Sequence, residues 1–309
     1  MGIDVGGTKI AAGLVKFPSG ALLIEQTIPT GPEPEGDSVL DRVAQLAEKL
    51  ILYETKGNIP FCGTGVGLCE LVDPAGKILS QNCLPWDEKQ VRKRLAHLGP
   101  VTLEADVRAA ACAEASLGAG RRYRIFLYIT VGTGIACSLV VDGMPFLGAH
   151  GTTGTMASSP VSVPCESCGH IDQASLEEIA SGPALVNRFN QLRPGAAATA
   201  QDILAAAERG DTDAARVVRN ATETLGSAIG SLVNVLDPHA VIIGGGLGLS
   251  GGSYWKTLVA STRRHIWHVG GRDIPLLQAA TGIRAGLIGA AITAWQSRLS
   301  KYEKERPSM

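Results

Sequence analysis

The chain has 309 residues, of which 45% are hydrophobic and 18% charged, so it can bury a large core and is long enough for two lobes. Its formal net charge of −1 excludes a basic field for nucleic acid or an anionic membrane, and a small molecule is the favoured substrate. Seven cysteines, without a secretory leader or a membrane-length apolar run, predict a cytoplasmic protein with reduced thiols.

Strands and helices are predicted to alternate along the first third of the chain, because apolar runs typical of strands are interrupted by stretches with helical spacing. An alanine-rich helix stops near Gly118. The strands are predicted at Gly2–Val5, Ile10–Val15, Ala21–Thr27, Phe61–Leu68 and Val101–Leu103, and the helices at Val39–Tyr53 and Val107–Leu117.

The opening pattern then recurs. Strands are predicted at Ile125–Val131 and Ile135–Val141, and the sequence VGTGIACSLV from Val131 echoes VGGTKIAAGLV from Val5 with a one-residue gap. An echo at this distance favours a duplicated lobe over a short-period repeat, although two glycine hairpins can also resemble each other by chance.

The rest of the chain predicts one loop followed by a mainly helical region. Gly148–Ser175 is polar and glycine-rich, so it is predicted to be an irregular loop of the kind that often carries function. Helix is predicted from Leu176 to about Leu236, with breaks at Gly182-Pro183 and around Pro194. The remaining elements are strands at Ala240–Ile243 and Ile274–Ala279 and a closing helix at Ala285–Leu299.

These elements predict an α/β protein with two lobes. Residues 1–105 are predicted to form the N-terminal lobe, which the closing helix, about 285–300, joins. Residues 106–284 are predicted to form a larger C-terminal lobe.

The first motif with chemical content is GIDVGGTK, which starts at Gly2. Its turn N–H groups and the Thr8 hydroxyl can bind phosphate oxygens, while Asp4 can hold Mg²⁺ directly or through water. It is neither a P-loop, because GxxxxGK[ST] is absent, nor a dinucleotide fingerprint, because a strand and not a helix follows. The alternative is a plain hairpin. The predicted nucleotide-binding residues here are Asp4, Gly6, Gly7, Thr8 and Lys9.

Two later glycine turns extend this prediction. The turn after Val131 mirrors the first motif but lacks the acid, and GGG after a buried strand would let an adenine ring lie against the backbone. The predicted nucleotide-binding residues in these turns are Thr130, Gly132, Thr133, Gly134, Gly244, Gly245 and Gly246.

Asp106 lies between a short strand and a helix. A carboxylate there is often only a helix cap. It can also act as a general base that orients and deprotonates an attacking hydroxyl during phosphoryl transfer. At a helix start it is expected to stay ionised, as that role requires.

Taken together, these motifs resemble the ROK family of sugar kinases, repressors and related proteins, including glucokinase-like and N-acetylmannosamine-kinase-like members. The resemblance runs from Gly2 to about Gly289. The matching stretches are GIDVGGTKIAAGLV, GVGLCELVDPAGKI, LEADVRAAACAEASLGAG, YITVGTGIACSLVVDG, GAHGTTG, SLEEIASGPAL and VIIGGGLG.

The resemblance implies a two-lobed, actin-like (ribonuclease H-like) α/β fold with ATP and sugar in the cleft between the lobes. It implies Mg²⁺-ATP as phosphoryl donor, a hexose or amino-hexose hydroxyl, usually the 6-hydroxyl, as acceptor, and Asp106 as the base. It also implies a homodimer. Family repressors carry a DNA-binding segment before the first glycine motif, and because that motif starts at Gly2 here, no nucleic-acid partner is expected.

The chain departs from the family pattern at the predicted sugar wall. Ala105 replaces an Asn that normally binds a sugar hydroxyl, and Glu70 replaces a Gly whose backbone normally meets the sugar. Thr155 and Ser158 align with a sugar-binding Glu and a His, whereas Glu177 retains a family Glu. The predicted substrate residues are Glu70, Asn82, Ala105, Asp106, Thr155, Ser158 and Glu177.

Glu70 suggests an amino sugar as acceptor. An ammonium group beside a partly buried carboxylate gains a charge-assisted hydrogen bond of about 1.5–3 kcal/mol, which is enough to select an unacetylated amino sugar such as 3-amino-3-deoxyglucose (kanosamine). The alternative is that Glu70 points to solvent or pairs with Arg108.

The resemblance also implies a structural zinc site of one His and three Cys. Here Cys165, Cys168 and His170 offer three ligands, whereas a structural Zn²⁺ takes four, so a metal-free loop is the alternative.

Three functions therefore compete. The first is an active kinase for a hexose or amino sugar, the second is a catalytically inactive sugar sensor, and the third is a regulator that acts through another protein. Retention of Asp4 and Asp106 favours the kinase.

Overall fold

The computed structural model describes residues 1–31, 36–54, 60–164 and 168–304, and Cys165 lies outside them. The strands are β1 (Gly2–Val5), β2 (Lys9–Lys16), β3 (Ala21–Pro29), β4 (Thr64–Leu68), β5 (Val101–Ala105), β6 (Ile125–Val131), β7 (Ile135–Val141), β8 (Met144–Pro145), β9 (Pro160–Pro164), β10 (Ile171–Ser175), β11 (Ala240–Gly244) and β12 (Leu276–Gln278). The helices are α1 (Gly36–Glu54), α2 (Glu88–Leu95), α3 (Asp106–Ser116), α4 (Leu176–Ala180), α5 (Gly182–Leu192), α6 (Ala200–Glu208), α7 (Thr212–Leu236), α8 (Gly245–Gly248), α9 (Gly252–His265) and α10 (Ala285–Lys304).

The chain divides into two compact units. The first comprises Met1–Arg122, Val140–Thr153 and Ile283–Met309, and the second comprises Tyr123–Leu139 and Gly154–Gly282. The first unit therefore includes α3 and extends past residue 105, where the sequence placed the boundary. The reason is that α3 packs mainly against α10, which also belongs to the first unit.

The sheet of the first unit has the strand order β3-β2-β1-β4-β5. β1 pairs antiparallel with β2 and parallel with β4, so the carboxyl ends of β1, β4 and β5 lie at the same edge. Every residue of β4 is buried, as expected for a strand with helices on both faces. A Cβ on Gly65 in that strand would lie 1.7 Å from the Ala290 carbonyl oxygen, so only glycine lets α10 pack this closely.

The second sheet repeats the order of the first, as β8-β7-β6-β11-β12. β11 pairs parallel with both β6 and β12, just as β4 pairs with β1 and β5. This shared topology agrees with the duplicated lobe that the sequence echo predicts. The 25-residue helix α7 covers the core of the second unit with a buried stripe that includes Leu225 and Ile229.

Several elements differ from the sequence-based prediction, and the short elements β8 and α8 are among those that were not predicted. The segment predicted to be an irregular loop contains the antiparallel hairpin β9–β10, and α2 and α9 fall where no element was predicted. α2 is highly charged and buries only Val91 and Leu95, so its apolar periodicity is weak. Its capping box between Asp87 and Gln90 was the signal that sequence reasoning missed.

No helix among the described residues combines the length and apolarity that crossing a bilayer requires.

Candidate active site

Asp4 and Asp106 meet at the carboxyl edge of the first sheet. Asp4 lies on β1 opposite Gly67 of β4, and Asp106 is the first residue of α3, directly after β5. A Cβ placed on Gly67 would lie 3.7 Å from both the Asp4 Oδ1 and the Asp106 Cα, so this glycine separates the two acids by little more than its own backbone. A glycine inside a strand often marks such a close approach, and this signal was available in the sequence.

Asp106 does not cap its helix, because Ala105 occupies the N-cap position and Asp106 is the first helical residue. Its Oδ1 accepts a hydrogen bond from the Val107 N–H at 2.6 Å. Burial, followed by the nearby Asp4 charge, raises the pKa of Asp106 to about 7, although the Val107 N–H acts to lower it. Burial therefore acts against the expectation that a position at the helix start keeps this group ionised, because desolvation outweighs the Val107 hydrogen bond.

The surroundings of the Asp4 carboxylate are suited to binding a cation. Burial raises the pKa of Asp4 to about 6, against a lowering effect of Lys9. Within the described part of the chain, no donor hydrogen-bonds to the Asp4 carboxylate. A Cβ on Gly286 would lie 2.4 Å from the Asp4 Oδ2, so a glycine at the start of α10 makes room for this group. A hard oxygen ligand with unused acceptor positions fits Mg²⁺, held directly or through water.

The first glycine turn joins β1 to β2. The Gly6 N–H donates to the Lys9 carbonyl at 3.0 Å, and the Thr30 hydroxyl donates to the Gly6 carbonyl at 2.7 Å, which together fix the turn. Gly7, Thr8 and Lys9 are exposed, so they can meet a ligand.

The two glycine turns of the second unit lie side by side. Thr130 at the end of β6 pairs with Gly244 at the end of β11, so both turns leave the same sheet edge. Gly245 has φ +79°, and a Cβ there would lie 2.4 Å from the Val131 carbonyl oxygen, so glycine is required. A Cβ on Gly132 would lie 3.6 Å from the Gly246 nitrogen. The structure therefore brings together the predicted residues Thr130, Gly132, Thr133, Gly134, Gly244, Gly245 and Gly246.

Glu177 supports the first of these turns. One of its carboxylate oxygens, Oε2, accepts the Ile135 N–H at 2.8 Å, next to Gly134. Thr155 and Ser158 are exposed, and the Ser158 hydroxyl donates to the Thr155 carbonyl at 3.0 Å. Thr155 and Ser158 therefore hydrogen-bond to each other. Glu177 hydrogen-bonds to the backbone directly after the turn Gly132–Gly134.

Glu70 is neither directed to solvent nor paired with Arg108, which corrects both of those sequence-based alternatives. Its side chain is only 5% exposed, and Oε1 accepts the N–H groups of Cys83 at 2.6 Å and Leu84 at 2.8 Å. Oε2 accepts the Asn82 N–H at 3.0 Å and the Ser80 hydroxyl. All four acceptor positions of the carboxylate are thus used inside the first unit, so none is free for a substrate ammonium group.

Arg108 is a second buried charge that binds backbone. It is 1% exposed, pairs with Glu104, and donates to the carbonyl oxygens of Val72 and, at 2.9 Å, Gly151. Glu70, which departs from the family pattern, and Arg108 therefore both hold neighbouring segments in place. Sequence reasoning missed this role, because neither residue's backbone partners are adjacent to it in the chain. Asn82, by contrast, is exposed, so its side chain is available to a ligand.

The predicted zinc ligands are only partly covered. Cys165 is outside the described residues, and both Cys168 and His170 are exposed. Across the described residues, the single group of three possible metal ligands is Cys69, Glu70 and Cys83 in the first unit, which is a different place.

Comparison with known proteins shows the family to which the chain belongs. A model described as the ROK family matches residues 1–297. The chain is 28% identical over 313 residues to a glucokinase of Streptomyces coelicolor, covering 94% of this chain and 96% of that protein. It is 31% identical over 263 residues to an N-acetyl-D-glucosamine kinase of Shigella flexneri, covering 80% and 83%.

A solved structure adds the fold. The ROK family glucokinase of Streptomyces griseus, in complex with glucose and AMPPNP, superimposes with a TM-score of 0.79 at 28% identity over 96% of this chain and 98% of that one. The fold is accordingly the actin-like α/β fold, built here from two units with one shared strand order. Since the family model spans all but the last residues, this chain belongs to the ROK family.

Proposed function

We propose that the chain transfers the γ-phosphoryl group of ATP to a hydroxyl group of a hexose, with Asp106 as the general base and the 6-hydroxyl as acceptor. The observation that carries the proposal is the acid pair, in which Asp106 lies beside Asp4 with its pKa raised to about 7. A base with a pKa near the working pH combines ionisation with a real capacity to accept a proton. The sugar-kinase relatives support the reaction class.

The residues divide the reaction between them. Asp106 accepts the hydroxyl proton as the sugar oxygen attacks the γ-phosphorus, and the leaving group is ADP. Asp4 would hold Mg²⁺, which supplies charge neutralisation at the phosphates when bound. The first glycine turn, Gly6–Lys9, would bind phosphate oxygens, as would Thr130 and Gly132–Gly134, and Gly244–Gly246 would accept the adenosine.

The acceptor is proposed to be uncharged. Both buried charges near the predicted sugar wall, Glu70 and Arg108, are already bonded within the first unit. A neutral hexose or N-acylated amino-hexose can bind while Glu70 and Arg108 keep their hydrogen bonds. The ammonium group of a protonated amino sugar would instead compete with the donors that already bind Glu70.

The test is ADP release with Mg²⁺-ATP over a panel of glucose, N-acetylated amino sugars and unacetylated amino sugars, with the phosphorylated carbon assigned by ³¹P–¹H NMR. Sugar-dependent turnover that is lost in Asp106→Asn supports the proposal. Turnover that survives in this variant excludes Asp106 as the base, and a preference for unacetylated amino sugars would contradict the uncharged acceptor. The homodimer expected from the sequence remains a prediction. Light scattering tests it by measuring the molar mass in solution.

A further inference from the structure

Two cysteines meet next to the acid pair, in a place that the proposed reaction does not use. Cys69 directly follows β4, and Cys83 lies in the segment 80–84 that Glu70 holds. The Sγ atoms of Cys69 and Cys83 and a carboxylate oxygen of Glu70 all lie within 4.8 Å of one another. The two thiols form what is called here the thiol pair.

Glu70 is the reason that the thiol pair exists. Because its carboxylate accepts the N–H groups of Asn82, Cys83 and Leu84, it fixes the backbone of Cys83 next to its own neighbour, Cys69. These three bonds and the one from the Ser80 hydroxyl leave the carboxylate without an acceptor position for a metal ion. The thiol pair alone gives two sulfur ligands, half of what a structural Zn²⁺ takes, so sulfur oxidation fits this cluster better than metal binding.

The two thiols differ in access. Cys83 is exposed, whereas Cys69 is partly buried, and burial together with the Cys83, Asp106 and Glu70 groups raises the pKa of the Cys69 thiol. Cys83 is therefore the thiol that meets a reagent from solution, and Cys69 is the protected thiol that resolves the first product.

We propose that Cys69 and Cys83 are a redox modification site that a low-molecular-weight disulfide converts to an intramolecular disulfide bond. The Cys83 thiolate attacks one sulfur of the small disulfide and releases one small thiolate. The Cys69 sulfur then loses its proton to solvent and attacks the Cys83 sulfur of the mixed disulfide, which releases the second small thiolate. Two protein thiols are oxidised to one disulfide, and one small disulfide is reduced to two thiols.

Oxidation should lower sugar affinity, an expectation that rests on the proposed function. An S–S bond brings the two sulfur atoms to about 2 Å, closer than any contact between thiols. This draws Cys83 toward Cys69 and moves the adjoining Asn82, whose exposed side chain is the predicted sugar ligand. Loss of one such hydrogen bond raises the KM for the sugar by about three- to tenfold. None of the predicted nucleotide-binding residues lies in segment 80–84, so the KM for ATP should not change.

The test treats the full chain with oxidised glutathione, maps disulfide-linked peptides by mass spectrometry, and compares wild type with Cys83→Ser and Cys62→Ser. Cys62 is the matched control, because it is also an exposed cysteine of the first unit and its thiol donates only to the Pro60 carbonyl. A linked pair of peptides containing Cys69 and Cys83 is expected in wild type and Cys62→Ser, and not in Cys83→Ser.

A glutathione adduct that persists on Cys83, or a link from Cys83 to any other cysteine, would overturn the modification site. The KM for the sugar is then measured before and after oxidation and after reduction. A KM that does not change in fully linked protein would overturn the effect on sugar binding. Peptide mapping needs no activity, so failure of the proposed kinase reaction would leave the first result readable.

Discussion

Two neighbouring regions of the first unit hold charged groups away from bulk water, partly buried in one region and fully buried in the other, and their hydrogen bonding is opposite. Asp4 and Asp106 at the sheet edge have few internal partners and pKa values raised to about 6 and about 7. Glu70 and Arg108 are more deeply buried, yet each has a full set of hydrogen bonds inside the unit. A buried charge without partners destabilises the fold and is kept for chemistry, whereas a buried charge with partners holds backbone in place.

The largest effect is expected from removing the base. Asp106→Asn should lower kcat by about 10²- to 10⁴-fold, because an amide cannot accept the hydroxyl proton. The measurement is steady-state ADP release at saturating sugar and ATP. The KM values should change little. A kcat within a few-fold of wild type would show that Asp106 is not the base and has a structural role, as Glu70 and Arg108 have.

Arg108→Met should cost the most stability. It leaves Glu104 without its cation and the Val72 and Gly151 carbonyls without their donor, a loss of about 3–5 kcal/mol in the free energy of unfolding. Urea unfolding followed by circular dichroism measures it. Arg284→Met is the control, because that arginine makes an ion pair with Glu25 that is exposed to solvent. If Arg108→Met lowered the free energy of unfolding no more than Arg284→Met does, Arg108 would not be a buried charge that holds backbone in place.

The acid pair should make stability depend on pH in an unusual direction. The folded pKa of Asp106 is raised to about 7 from 3.8, so the folded chain binds a proton that the unfolded chain does not between these values. Stability should therefore fall as the pH rises from about 4 to about 7, and at pH 8 Asp106→Asn should be more stable than wild type by about 2 kcal/mol.

Urea unfolding of both proteins at pH 5 and pH 8 checks this sign. The same group predicts that kcat/KM rises with pH and levels off above about 7, because only the ionised carboxylate accepts the proton. Equal stabilities of the two proteins at pH 8, or a kcat/KM that falls between pH 6 and 7, would contradict the raised pKa.

The smallest effect separates the donors around Glu70. Ser80→Ala removes one of its four hydrogen bonds and should cost about 1 kcal/mol, whereas Glu70→Gln disturbs all of them and should cost about 2–3 kcal/mol. Thermal unfolding ranks the two variants against wild type. If Glu70→Gln were the milder change, the carboxylate would not be the group that organises segment 80–84.

The sequence predicted the parts of the molecule that are local. Apolar runs that end in Gly6-Gly7, Gly132 and Gly244 gave the strands and turns, because backbone that approaches a ligand closely needs glycine near a strand end. The family and the α/β fold followed from the same motifs. The antiparallel pair β9–β10 was not predicted, because each strand has only five residues, with proline at both ends of β9 and polar residues in β10.

The surroundings of Glu70 and Arg108 could not be predicted for a different reason. Glu70 bonds to residues more than nine positions away, and Arg108 bonds to Gly151, 43 positions away. No periodicity or motif encodes such long-range pairs. Glu70 at the predicted sugar wall was therefore interpreted as a change in substrate, whereas in the structure it supports the backbone of segment 80–84. Likewise the pKa of Asp106 depends on Asp4, which lies on another strand.

The close packing of α10 has a consequence for how this protein folds while it is being synthesised. Asp4 is translated about 280 residues before Gly286, the glycine of α10 that borders its carboxylate. Gly2 and Gly65 likewise depend on α10 for their packing partners. A nascent chain thus holds Asp4 without these neighbours until α10 has been translated, so the surroundings of this carboxylate are completed long after the residue itself is made.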